Sequence, residues 1–447
     1  MPKAIIIGGV AGGATAASQL RRIDETIDIT IYDKGRDISF GNCGLPYNIG
    51  GEVSRREKLI AATPESFAEK NVDVYTRHEV MSVDTDKNTV MVKDTEENVE
   101  LEDSYDYLIL SPGAAPRTVP ALLDVPEAFV LHTLEDLDLI QAHIKMTGVN
   151  KAVVIGAGYI GLEMIENLVE RGLDVTFIHR RESIYAPLED DLSEFFAAEM
   201  ESRGITVKLN TEIVEVNGGI ATLTNGEEIE APMIIAGIGI LPQTKFLETS
   251  GIKLTETGLI PVDSTGCTNI DNVFALGDAI ETTYQHVDQK TNVALAWGAH
   301  RMAFVISHQI SGDKSAAFEG LLGTNIMRFF DYDIATLGLS EKEVSDYDHF
   351  IVDHKQRNKA GYMEGSIPIQ VRLYVGRNDG RILRASVVGK EGVDKRIDIL
   401  AAHIRLGGTA MDLANIEIAY SPPYSSPKSV LNMAGYKTIE KMKKLNE

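Results

Sequence analysis

Apolar and polar positions fall into two nearly identical blocks. KAIIIGGVAGGATAASQLRR followed by DITIYDK opens the chain, and KAVVIGAGYIGLEMIENLVERG followed by DVTFIHR repeats the arrangement from Lys151. In each block a short β-branched run feeds a glycine loop, an amphipathic helix and a second strand, which is a βαβ unit. YDYLILSPGAAP (Tyr105 to Pro116) and NVFALGDA (Asn272 to Ala279) read as buried strands ending in turns. ALAWGAHRMA (Ala294 to Ala303) reads as the start of a helix. From residue 323 the pattern changes. NIMRFFDYDIATLGLS and IQVRLYVGR are strands and Lys395 to Leu406 a helix, with no further glycine loop. The expected class is therefore α/β, with two Rossmann-like nucleotide-binding domains followed by a C-terminal α+β domain.

Glycines at such a turn let the backbone approach a pyrophosphate, whose charge then sits at the positive end of the helix. The second loop carries the full GxGxxG pattern at Gly156, Gly158 and Gly161. The first keeps Gly8 and Gly13 but has Val10 where the middle glycine would stand, so a tight turn without a ligand is a rival reading there. Asp33, an acid at the end of the second strand, is what bonds an adenosine ribose. In the second block His179 stands in that place, followed by Arg180 and Arg181. Losing the carboxylate and gaining cations favours a 2′-phosphate, hence NADPH over NADH, with NADH still possible. The competing reading is solvated surface basics, one of them neutralised by Glu182. Asp278, at the end of its apolar strand, has an acid's reach to a ribityl hydroxyl, and Gly113 forms the turn after Tyr105, although both are also ordinary strand ends.

Composition narrows the class. A chain of 447 residues implies about three domains. The 43 Lys and Arg against 66 Asp and Glu leave a net charge of -23, a poor match to nucleic acid. No run approaches the ~18 apolar residues of a membrane span, and the start lacks a signal-peptide n-region. The two cysteines, Cys43 and Cys267, exclude a disulfide framework and are too far apart for a CxxC redox or zinc pair. A reducing, cytoplasmic compartment and no metal are expected.

Paired βαβ units, the SPGAAP turn and the ALGDA segment, in this order, resemble the FAD-dependent pyridine nucleotide-disulfide oxidoreductases over the whole chain. The resemblance implies FAD at the first loop and the nicotinamide cofactor at the second. It also implies that backbone amides near Ala296 face the flavin pyrimidine. The FAD domain would comprise 1–115 and 248–322, the NAD(P)H domain 116–247, and a dimerisation domain 323–447. With the sequence ending at Glu447, no rhodanese-type domain is expected. The usual redox signature of that superfamily is CxxxxC, whereas SFGNCGLPYNIGG offers only Cys43, with Asn48 in the second position. A lone sulfur cycles as a mixed disulfide with a small thiol or as a sulfenic acid. Gly41 and Gly44 leave it accessible, and a helix start there is expected to favour the thiolate. A small buried residue in a turn is the bland alternative, and is the better reading for Cys267.

SFGNCGLPY resembles the coenzyme A-disulfide reductases, a single-cysteine branch that also includes NADH oxidases and peroxidases. Those oxidases and peroxidases place a histidine in the first loop, where this chain has Ala11. The resemblance implies two tyrosines delivered by a partner subunit, matched here by Tyr362 in KAGYMEG and Tyr420 in IAYSPPYSSPK, with Tyr424 nearby. It further implies a homodimer and a coenzyme A groove lined by Thr15, Gln19 and Arg22, spaced as one stripe of a helix, with Ser39, Asn42, Lys70, His300 and Lys428. The implied reaction is NADPH-dependent reduction of coenzyme A disulfide through a Cys43-S-S-CoA intermediate. An oxidase or peroxidase acting through a sulfenic acid, a coenzyme A persulfide reductase and a redox-sensing flavoprotein are the alternatives.

Overall fold

The computed structural model describes residues 1–184 and 188–446. The first sheet runs in the order Val273–Ala275, Tyr107–Leu110, Lys3–Ile7, Asp28–Tyr32, Asp73–Tyr75, every pair parallel. Such a sheet is covered on both faces, so its strands read as continuous apolar runs, and Ala4, Ile5 and Ile6 are fully buried. Register aligns Ile7 with Tyr32 on one side and Leu110 on the other. The strands thus end together, bringing the glycine loop, Asp33 and Ser111 to one edge. Small residues let the helix Ala11–Ile23 pack closely on Ala296–Ile310, where Ser307 Oγ donates to the Ala16 carbonyl at 3.2 Å.

The second sheet repeats the topology in the order Thr206–Lys208, Asp174–Ile178, Lys151–Ile155, Ile234–Ala236, Ala128–Phe129, again parallel. The helix Tyr159–Glu170 follows its glycine loop. Leu134–Thr147 begins with a capping box in which Thr133 and Asp136 satisfy each other's amides.

The last unit is a five-stranded antiparallel sheet ordered Asn325–Phe329, Tyr332–Gly338, Ile382–Gly389, Pro368–Gly376, His349–Arg357. Val393–Arg405 and Val430–Asn446 pack against it. Two arginines tie this sheet to the second domain. Arg372 holds Asp191 with two bonds of 2.7 and 2.8 Å. Arg384 meets Glu189 where both side chains are only 2% exposed. Losing one member of such a buried pair costs about 3–5 kcal/mol, because the other charge is stranded.

Candidate active site

At the first loop Gly8 adopts φ +94°, and a Cβ there would overlap the Ser111 carbonyl oxygen. A Cβ on Gly13 would overlap the Gly8 carbonyl oxygen, so the loop and helix touch through backbone alone. Asp33 is buried at the strand end and accepts from Gly9 N at 2.6 Å and Gly35 N at 2.7 Å. Desolvation pushes its carboxyl up, against the pull of those amides. Val10, the residue replacing the middle glycine, packs against the apolar cluster under the second domain. Gly113 turns at φ +65° with open space around its missing side chain. Asp278 lies on a short 3-10 turn, its carboxyl pushed up by burial and drawn down by His132. The helix Ala296–Ile310 starts with no side-chain cap, leaving its first amides to a ligand. An uncapped helix start, a glycine cradle and two strand-end acids fit a flavin dinucleotide.

The second loop shows the same division of labour. Cβ atoms on Gly156 and Gly161 would overlap the carbonyls of Gly237 and Gly156, whereas one on Gly158 would be in ordinary contact, 3.5 Å from Gly237 O. Protein packing therefore requires the outer two glycines, and the middle one fits a pyrophosphate's approach. His179 stacks on Phe177, and burial with the Arg181 and Arg180 charges pulls its pKa down. Arg180 and Arg181 are exposed, and neither forms an ion pair among the described residues, Glu182 included. This donor set fits a phosphate-bearing ribose.

Cys43 lies in a single 3-10 turn, Asn42–Gly44, ahead of the short helix Leu45–Gly50. The residue is exposed. Its thiol is nevertheless pushed up, by crowding on the protein side and by the Glu163 and Asp278 carboxylates. The helix start expected to favour the thiolate is only six residues long, so its dipole is weak, and it is opposed by a carboxylate arriving from Tyr159–Glu170 of which the sequence around Cys43 carries no sign. Asn42 Nδ2 donates to His132 O at 3.0 Å. Asn48 donates to Val53 O at 2.8 Å and takes Gln141 Nε2 on both its carbonyl oxygens at 3.3 Å. Cys267 is half-buried, its Sγ facing the Ile270 and Asp271 carbonyls at 3.6 Å, with burial raising its thiol.

Thr15 and His300 meet at 2.7 Å, and Arg22 reaches Gln19 at 3.4 Å one turn along the same helix. Ser39 N donates to Gly9 O at 2.9 Å, which places Ser39 against the first loop, with φ +49°. Lys70 is exposed beyond the helix Pro64–Ala68, its ammonium 5.8 Å over the Phe67 ring. Tyr362, Tyr420 and Lys428 gather on the C-terminal unit. Lys428 lies 5.5 Å over Tyr436, while Tyr362 and Tyr420 are 77% and 48% exposed. Tyr362 holds the Tyr420 hydroxyl above the usual phenol range. Among the described residues, no hydrogen bond or ion pair joins these three side chains to Cys43 or to the Thr15 stripe within one chain.

Sequence reasoning passes over Glu163, Glu166 and Arg328. Glu163, pushed up to about 7 chiefly by burial and also by Glu166, faces Tyr47 Oη at 3.5 Å. The available signal was three acids, Glu163, Glu166 and Glu170, at helical spacing in an otherwise apolar helix. Arg328 carries no local signal, because its partners lie in the two preceding domains.

Residues 2–303 match the pyridine nucleotide-disulphide oxidoreductase family and residues 324–430 its dimerisation domain. Coenzyme A disulfide reductases of Staphylococcus aureus and Staphylococcus epidermidis are each 44% identical over 438 residues, spanning 98% of this chain and 100% of theirs. Among solved structures, reduced CoADR-RHD of Bacillus anthracis superposes with a TM-score of 0.96 at 34% identity, over 99% of this chain and 81% of that one. An NAD-dependent persulfide reductase from A. fulgidus gives 0.94 at 31% identity, over 99% and 84%. Among the described residues no helix is long and apolar enough to cross a membrane.

Proposed function

This chain belongs to the pyridine nucleotide-disulphide oxidoreductase family, and from that premise we propose that it reduces coenzyme A disulfide with electrons from NADPH. The carrying observation is an exposed Cys43 with no sulfur partner in its own chain, since Asn48 fills the next turn and is tied to Val53 and Gln141. The missing sulfur must come from the substrate.

The Cys43 thiolate attacks one substrate sulfur, forming a Cys43–CoA disulfide and releasing the first coenzyme A as a thiolate. Two electrons then split that bond, returning the Cys43 thiolate and the second coenzyme A. FAD bound at the first loop would supply that electron pair, and NADPH bound at the second would be the source of the hydride that renews it. In sum, one NADPH, one proton and one disulfide give NADP⁺ and two thiols.

Asp33 and the Gly8–Gly13 cradle would hold the adenosine half of FAD, and Asp278 the ribityl chain. Gly158 would admit the NADPH pyrophosphate, while Arg180 and Arg181 beside His179 would take its 2′-phosphate. Thr15, Gln19, Arg22, His300, Ser39, Asn42 and Lys70 form the coenzyme A groove on one subunit, and a second copy brings Tyr362, Tyr420 and Lys428. The Tyr420 hydroxyl, protonated at neutral pH as any phenol is and raised further by Tyr362, donates to the thiolate developing on sulfur. Replacing the histidine of the oxidase branch, Ala11 offers no acid-base group for peroxide or oxygen. An acidic chain with unpaired thiols suits the cytoplasm. Coenzyme A persulfide is a second candidate substrate, favoured by the 31% identical persulfide reductase.

Mass spectrometry under denaturing, non-reducing conditions is expected to find a coenzyme A-sized adduct on Cys43. A free thiol or a sulfenic acid in every preparation overturns the reading. Rates with coenzyme A disulfide, persulfide, peroxide and oxygen, measured in one assay, rank the substrates.

A further inference from the structure

Arg328 lies in the edge strand Asn325–Phe329 of the C-terminal sheet, and its guanidinium reaches both preceding domains. Its Nε donates to Glu166 Oε1 at 3.0 Å, on the helix after the second glycine loop. Its Nη2 donates to Glu52 Oε2 at 2.6 Å, just beyond the helix Leu45–Gly50 that follows Cys43. The guanidinium carbon stands 5.1 Å from the centre of the Tyr47 ring, on that same short helix. Glu166 is 1% exposed, and its Oε2 makes no hydrogen bond among the described residues. Arg328 is its only ion-pair partner among them; the Phe330 amide adds a weaker pull.

We propose that Arg328 is a positioning residue for the reactive thiol: it clamps the segment that carries Cys43 against the nucleotide-loop helix and supplies the counter-charge to Glu52 and the buried Glu166.

The groups facing Arg328 are Tyr47 and Glu52 on the thiol segment, Glu163 and Glu166 on the helix, and Asp333 on the neighbouring strand. Glu170 adds to the negative charge at Glu166, and Cys43 itself faces Glu163 and Asp278. Glu163, whose Oε1 faces Tyr47 Oη at 3.5 Å on the ring that Arg328 overlies, is the link between arginine and the thiol segment. Arg328 draws it down while burial and Glu166 push it up, and once ionised it opposes a thiolate at Cys43. The guanidinium therefore acts on the sulfur through Glu163 as well as through the fixed helix. A pair that merely tied domains together would affect thermal stability and flavin retention but leave the thiol's titration alone.

The inference rests on Cys43 being the reactive group, not on which disulfide it meets. The test follows alkylation of Cys43 by iodoacetamide in the flavin-loaded protein across about pH 5.5 to 9.5. The parent is expected to show a lower inflection near pH 7, from Glu163, beneath that of the thiol. Arg328→Gln should move the lower inflection up by about one unit and slow disulfide turnover about tenfold with KM unchanged, while Arg328→Lys restores most of both. A parent-like alkylation profile in flavin-loaded Arg328→Gln overturns the proposal, as does failure of the lysine variant to recover it. If Arg328→Gln does not retain flavin, Glu166→Gln decides the matter. It removes the like charge beside Glu163, so the inflection must move down, and a stationary one refutes the link. Absence of coenzyme A disulfide turnover in the parent, with these shifts intact, would sink the proposed activity and leave the role of Arg328 standing.

Discussion

Thr15 Oγ1 and His300 Nδ1 lie 2.7 Å apart, a bond that joins the helix behind the first glycine loop to the helix that begins at Ala296. The Thr15 proton goes to the Ala11 carbonyl at 2.8 Å, so the imidazole is the donor and its tautomer is fixed. Its Nε2 has no partner among the described residues, and the ring sits on the exposed rim alongside Gln19 and Arg22. His300→Ala is expected to raise KM for coenzyme A disulfide about tenfold, equivalent to about 1.4 kcal/mol, with kcat held within about twofold. Steady-state kinetics at saturating NADPH check this. A fall in kcat at constant KM would remove His300 from the groove.

In the proposed site the tyrosine pair of one copy serves Cys43 of the other. Tyr362→Phe with Tyr420→Phe should lower kcat about 10- to 100-fold, and Cys43→Ser should abolish turnover. Mixing the impaired and the inactive variant under conditions that exchange subunits should recover about a quarter of parent activity, since half of the dimers would be mixed and each would contain one intact site. No recovery after verified exchange would show that the tyrosines serve the cysteine of their own chain.

Among the described residues Arg180 and Arg181 form no ion pair, which leaves both cations open to a ligand. Replacing both with alanine is expected to raise KM for NADPH about 30-fold while shifting that for NADH less than about twofold. Equal losses with the two cofactors would make the arginines general electrostatic help rather than phosphate ligands.

Glu163 also makes stability depend on pH. In the fold its carboxyl holds a proton up to about pH 7, whereas the unfolded chain releases it near 4.5, the ordinary glutamate value. Folding therefore takes up a proton between those values, and stability declines as pH rises through that window, then levels off. Discounted for its partial exposure, the effect is on the order of 2 kcal/mol. The gap in urea midpoint between Glu163→Gln and the parent should widen in favour of the variant from about pH 5 to about pH 8. A gap that stays constant would mean that Glu163 titrates normally.

The βαβ blocks were legible because each is local: a β-branched run, a glycine turn and a helix follow one another, and the strand ends place Asp33 and His179 by simple counting. Cys43 was equally visible, as was its lack of a partner at Asn48. Its charge environment was not. A helix start is written beside the cysteine, but the opposing Glu163 comes from a helix that only tertiary packing brings there. Arg328 was invisible for the same reason. An arginine in an edge strand has no sequence feature that distinguishes a solvated cation from one pairing with a buried acid in another domain.

The first sheet has a consequence for how the protein is made. Its strand Tyr107–Leu110 pairs on one side with Val273–Ala275, which lies beyond the entire second nucleotide unit. During synthesis the earlier strand therefore exposes an apolar edge until the ribosome has passed Ala275, while the second unit, continuous in sequence, is free to fold in the interval. Of the two nucleotide units, the one on the flavin side begins first and closes second. A chain truncated between the two would carry a finished nicotinamide half attached to an unfinished, aggregation-prone sheet.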